Sequence, residues 1–147
     1  DVMDAVQYYC LNTVIRKGGD MRFDDTRPIW IQLVEAFSQK IASGQWTPAS
    51  RIPSVRELAI DAGVNPNTVQ RALSRLDADG LTVAERAQGR FVTSDTEAIA
   101  RARAELARQA TDSHVATVRQ LGIGRDEAVS LLNARWADNP PEGGHGQ

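Results

Sequence analysis

Apolar residues recur along this chain at helical spacing, interrupted once by two short β-prone runs. Trp30, Leu33, Val34, Phe37 and Ile41 share one face of a helix predicted over Pro28–Ser43 and ended by Gly44. Val55, Leu58, Ala59 and Ala62 repeat the i, i+3, i+4, i+7 pattern. Ser54 and Glu57 stand at capping-box spacing before them, and Gly63 follows where a C-terminal cap needs positive φ. Asn65-Pro66 then offers a side-chain acceptor and a ring that pre-sets the first helical φ. The helix they open carries Val69, Ala72, Leu73 and Leu76 and stops at Gly80. Leu81–Glu85 and Arg90–Thr93 flank Arg86-Ala87-Gln88-Gly89, which predicts a β-hairpin with a basic tip. From Ser94, which with Glu97 repeats the capping-box spacing, Ile99, Ala102, Leu106, Ala110, Val118 and Leu121 step by three or four. With His114 filling the gap, they predict one long helix to Gly122. Ala128, Val129, Leu132 and Trp136 mark a second helix over Asp126–Ala137. The fold class is mainly α with a small β-hairpin wing: a winged helix-turn-helix followed by a short two-helix C-terminal region.

The polar positions give this architecture its chemistry. Two helices separated by Gly63-Val64-Asn65 have helix-turn-helix spacing. On the second, Asn67, Gln70, Arg71 and Ser74 form a polar stripe opposite the apolar one. Asn and Gln pair bidentately with adenine, and Arg with guanine, on major-groove edges. Acids enter that helix only at Asp77 and Asp79. Any surface helix has a solvated face, so the stripe alone is ambiguous; a basic hairpin directly after it favours a winged helix. Trp30 and Phe37 are expected in the core. Trp46, in GQWTPASRIPS, is expected as a hydrophobic lid.

The block PSVRELA...GVNPNTVQRAL...L...GL...GRFV resembles the DNA-binding domain of the GntR family of bacterial transcription regulators. VNPNTVQRA is particularly similar to the YtrA-type branch, other branches placing arginine at the positions of Pro66 and Gln70. The resemblance runs from Arg27 to Thr93. It departs at Ala49, where the family's GxxxPGxxLPS segment has a glycine, and at the wing tip, where only Gly89 precedes Arg90 and Phe91. It implies double-stranded DNA as partner, with phosphate or groove contacts at Arg56 and Arg90. Together with the polar stripe it singles out Asn65, Asn67, Thr68, Gln70, Arg71, Ser74 and Arg75 on the recognition helix, and Gln88 and Gly89 on the wing. LGIGRDEAVSLLNARW is similar to the helical C-terminal region of YtrA-type regulators. Two helices cannot close a core by themselves, and a two-fold dimer matches a palindromic site. The expected seam is Ile99, Leu106, Ala110, Val118, Leu121, Leu132 and Trp136, the alternative being packing onto the same chain's winged helix.

Composition adds mainly exclusions. Formal net charge is −2 over 147 residues, of which 41% are hydrophobic. Yet Arg51, Arg56, Arg71, Arg75, Arg86 and Arg90 all fall in the DNA-binding stretch, and for a DNA binder their placement matters more than the total. Single Cys10 excludes an intramolecular disulfide and fits a reducing, cytoplasmic setting. The acidic start argues against a signal peptide, and no apolar run suggests a membrane span. No zinc spacing, phosphate loop or nucleophile arrangement is present, so no cofactor and no enzymatic activity are expected. The aminotransferase-like domain of some GntR relatives would not fit in this length. The expected division is an N-terminal extension over 1–20, the winged helix over 21–93, a helical dimerisation or effector region over 94–137, and a tail over 138–147. The expected function is a homodimeric, sequence-specific repressor of a palindromic operator. The alternative is a nonspecific chromosome-binding or protein-interaction module. A small-molecule effector is a further possible partner that the sequence does not identify.

Overall fold

Five helices and one hairpin make up the described residues, 23–139, in the computed structural model of the chain. The expectations for residues 1–20, with Cys10, and for the tail from residue 140, with His145, lie outside them. The chain divides into two compact units, one through Glu105 and one from Leu106 onward.

In the first unit α1 spans Ile29–Ala42, a residue shorter at each end than its periodicity predicts. It has no side-chain N-cap, and Gln32 secures its start instead. The Asp24 N–H donates to Gln32 Oε1 at 2.7 Å, while Gln32 Nε2 donates to the Asp24 and Arg27 carbonyls at 2.7 and 3.0 Å. Leu33, Phe37 and Ile41 enter the core. There they meet Leu58 and Ala59 of α2 (Val55–Ala62) and Val69, Ala72, Leu73 and Leu76 of α3 (Pro66–Ala78). Truncating Phe37, which is almost wholly buried, to alanine would cost about 3–5 kcal/mol. Trp46 stacks on Phe37 with ring centroids 5.4 Å apart and Lys40 Nζ 5.3 Å from its own centroid, as a lid would.

The signals of the helix-turn-helix are realised locally. Glu57 N–H donates to Ser54 Oγ at 3.2 Å, and Ser54 N–H donates to Glu57 Oε2 at 2.8 Å. Gly63 closes α2 at φ +66, a left-handed conformation that costs a side-chain-bearing residue free energy. Asn65 caps α3 with Pro66 at its first turn.

The wing is broader than the sequence suggests. Thr82–Glu85 (β1) pairs antiparallel with Gly89–Val92 (β2) in the register Thr82↔Val92 to Glu85↔Gly89. The far edge of β2 is also occupied. Arg51 bridges Phe91, Ile52 N–H donates to the Arg90 carbonyl at 2.8 Å, and Val92 N–H donates to the Ser50 carbonyl at 2.9 Å. Short and lying between Pro48 and Pro53, this third segment shows no alternation by which to predict it.

Helix α4 (Thr96–Gln120) begins against the winged helix: Ile99 and Ala102 pack on its core. Ile99, expected in the dimer seam, thus packs on the winged-helix core, which draws on residues beyond Thr93. The cap also differs from expectation. Asp95, not Ser94, accepts from the N–H groups of Glu97 and Ala98, at 3.0 and 3.2 Å. In the second unit the rest of α4 and α5 (Arg125–Asp138) contain no buried residue.

Candidate nucleic-acid interface

The polar stripe of α3 is presented as its spacing predicts. Val69, Ala72, Leu73 and Leu76 are buried, and Asn67, Gln70, Arg71 and Ser74 are exposed on the opposite face. Asn65 Oδ1 accepts from Asn67 N–H at 2.8 Å, so the Asn65 side chain is partly committed to capping. Thr68 is half-buried at the edge of the stripe. Gln70 Nε2 donates to Ser74 Oγ at 3.4 Å, a long bond that a better partner can displace. Between Asp61 and Asp77 the sequence has no carboxylate. The first turns of α3 thus combine unopposed donors with the positive end of a helix, a setting that attracts phosphate.

The arginines separate into different situations. Arg75 Nε is 3.1 Å from Asp79 Oδ1 in an exposed i,i+4 pair. Arg90, expected to contact DNA from the wing, is instead bound to α3: its Nη2 lies 2.9 Å and its Nε 3.1 Å from the Asp77 carboxylate. The Arg90 and Asp77 side chains are only 14% and 29% exposed, and the Thr82 hydroxyl donates to the same carboxylate. The guanidinium fastens β2 to α3. Arg71 makes no ion pair among the described residues; its guanidinium carbon sits 4.2 Å from the centroid of the Trp30 ring. Trp30, expected in the core, is half-buried, outside the buried cluster, and carries Arg71 on its face. Arg56 is exposed on the first turn of α2 and makes no ion pair among the described residues. Neighbouring Glu57 is engaged by Ser54, whose backbone N–H and then side chain hold the Glu57 carboxyl below its ordinary pKa, with a smaller effect from Arg51.

At the wing tip Arg86, Ala87 and Gln88 are exposed, Ala87 at φ +66. Gln88 N–H closes the turn on the Glu85 carbonyl at 3.1 Å. Gly89 has φ +110, and a Cβ there would stand 3.0 Å from Arg51 Nε. Arg51 thus runs alongside the tip, a placement that no local signal reveals because it depends on the third wing segment.

Of the expected dimer residues in the second unit, Leu106 and Val118 are half-buried and Ala110 is exposed. Leu121 and Trp136 are 69% and 71% exposed, and Leu132, Val115, Val129 and Leu131 are exposed too. Among the described residues no group of three or more His, Cys, Asp or Glu could hold a metal, and no helix is long and apolar enough to cross a membrane.

Comparison with known proteins agrees with this geometry. The family described as "Bacterial regulatory proteins, gntR family" matches residues 31–92, from α1 to the end of β2. The chain is 31% identical over 110 residues to the uncharacterized HTH-type transcriptional regulator YhcF of Bacillus subtilis, covering 75% of this chain and 91% of YhcF. It is 31% identical over 70 residues to the HTH-type transcriptional repressor YtrA of the same organism, covering 48% of this chain and 54% of YtrA. Among solved structures, a GntR family transcriptional regulator from Listeria monocytogenes superposes with a TM-score of 0.71 at 30% identity, covering 76% of this chain and 98% of the other.

Proposed function

The chain belongs to the gntR family of bacterial regulatory proteins and is a DNA-binding transcriptional regulator, and on that premise we propose that it is a homodimeric repressor of a palindromic operator. The observation that carries base reading is the exposed α3 stripe of Asn67, Gln70, Arg71 and Ser74, without a carboxylate before Asp77. Amide and guanidinium groups on the first turns of such a helix are the groups that read adenine and guanine edges in the major groove. Arg56 and the α3 N-terminus supply phosphate contacts that fix the register. Two-fold pairing is supported by the second unit, where Val115, Leu121, Val129, Leu131, Leu132 and Trp136 are exposed. Apolar surface of that extent is commonly an association surface. The repressor assignment follows the name of YtrA.

The test is selection of duplexes from a randomised library by the wild-type protein, followed by titration of the recovered sequence and of a scrambled one. A recovered inverted repeat bound well above the scrambled duplex is the expected result. Equal affinity for both would replace this reading with nonspecific chromosome binding.

A further inference from the structure

We propose that Trp30 is a positioning residue for DNA binding, holding the Arg71 guanidinium by its flat face so that its hydrogen-bonding edge is presented to the nucleic acid. The inference rests on α3 being the DNA-reading helix and deepens that reading by naming a residue on another helix that prepares it.

Trp30 and Arg71 lie forty-one positions apart in sequence, on α1 and α3, and meet at 4.2 Å between guanidinium carbon and ring centroid. Trp30 stands at the second position of α1, outside the buried core cluster, with its surface only half covered. A side chain needed for packing alone would not have to be aromatic there. The start of α1 is also held firmly, through the hydrogen bonds of Gln32 to Asp24 and Arg27 and the ion pair of Arg27 with Glu35. The backbone that carries the ring is therefore anchored.

How an arginine is held determines what it can still do. Arg75 and Arg90 are held by carboxylates, which occupy N–H donors and cancel charge. A guanidinium stacked on an indole is attracted through its face, while its five N–H donors radiate in its own plane and its charge is undiminished. Trp30 thus orders a long side chain in the free protein and leaves every donor available, so less freedom is lost when DNA arrives. The recognising chemistry is an anionic or acceptor-rich edge, supplied either by a backbone phosphate or by the O6 and N7 of a guanine.

The experiment is a double-mutant cycle on the full chain with Trp30→Leu, Arg71→Ala and both together. Affinity is read on the duplex recovered by wild-type selection and on a scrambled duplex across a salt series. Trp30→Leu should weaken binding about three- to tenfold, the scale of one cation–π contact, and should have almost no effect when Arg71 is already alanine. Trp30→Phe should fall between wild type and Trp30→Leu, and Arg71→Lys should bind less well than wild type because an ammonium keeps the charge without the stacking plane. These two variants carry the test if Trp30→Leu does not fold. A loss confined to one base pair per half-site identifies a guanine edge; a loss on both duplexes, with the salt slope reduced by about 0.9 per contact, identifies a phosphate. Equal losses from the Trp30 substitution with and without Arg71, or Trp30→Phe and Arg71→Lys both binding as wild type, overturn the inference while leaving DNA reading intact. A wild-type protein that selects no duplex overturns both.

Discussion

Ala49, like Ala87 at the wing tip, conflicts with its backbone conformation. It stands at φ +62, in the turn that delivers the third wing segment, at the position where the GntR pattern has glycine. A left-handed conformation costs a residue bearing Cβ about 1–2 kcal/mol, whereas glycine adds up to about 1 kcal/mol of unfolded-state entropy. Ala49→Gly should therefore stabilise the protein slightly, by up to about 1 kcal/mol, seen as a raised midpoint in urea unfolding. A lowered midpoint would show that the turn is not strained. Gln70 is a functional counterpart at the same scale. Its replacement by alanine should relax preference at one position per half-site, by about 1–3 kcal/mol against the preferred base. Uniform loss on all sequences would remove Gln70 from base reading. Glu57 makes the capping box pH-dependent. Its carboxyl is held below its ordinary pKa, so the stabilisation is fully present above the unfolded glutamate pKa of about 4.3 and is lost as pH falls through the lower folded value. Glu57→Gln keeps an acceptor for the Ser54 N–H but does not titrate there. In acid titrations of unfolding it should flatten that part of the stability profile.

At the scale of elements, the recognition helix and the wing are joined by a charge pair rather than by the core alone. Asp77 near the end of α3 receives Arg90 from β2 and the Thr82 hydroxyl from β1. Removing Arg90 leaves a partly enclosed carboxylate with one partner fewer, so Arg90→Ala should lower stability by about 1–3 kcal/mol. Arg56→Ala should do the reverse: little change in stability, weaker binding to specific and scrambled duplexes alike, and a salt slope reduced by about 0.9 per lost phosphate contact. Thermal unfolding and salt titration of the two variants separate these roles. Arg90→Ala with unchanged stability would return Arg90 to the DNA surface.

For the whole molecule, the proposed dimer would form through apolar residues that are exposed in the single chain, Leu121, Leu132 and Trp136 among them. Leu121 is 69% exposed, so Leu121→Glu should hardly disturb the protomer. In a dimer seam it places a carboxylate where desolvation is unfavourable, and does so in both copies. Sedimentation should then show dimers giving way to monomers, with binding to two half-sites falling towards that of one as the effective concentration is lost. A Leu121→Glu protein that sediments and binds as wild type would show that this residue lies outside the seam. A fragment ending at Glu105 should fold and behave as the monomer, because Ile99 and Ala102 remain to cover the winged-helix core. One ending at Thr93 lacks both and should be less stable.

Features settled within a few neighbouring residues could be read directly from the order of amino acids. The Ser54–Glu57 box, the Gly63 stop, the Asn65-Pro66 start and the periodic faces of α1 to α3 need only neighbours along the chain, so their signals are local and survive reading. The stripe of Asn67, Gln70, Arg71 and Ser74 was legible for the same reason, since helical geometry places those side chains together wherever the helix lies. Tertiary structure decided which partner each exposed group meets. Arg51, Arg71, Arg75 and Arg90 are equivalent letters in a sequence that offers many carboxylates and several rings. Only the path of the chain sets Arg51 beside Gly89, Arg90 on Asp77 and Arg71 over Trp30. The edge of β2 is likewise filled by residues thirty-eight or more positions earlier, as the Arg51–Phe91 and Ile52–Arg90 pairs show. Contacts across such separations are selected by the packing of α1, α2 and α3 around one core, and no periodicity in the chain encodes them.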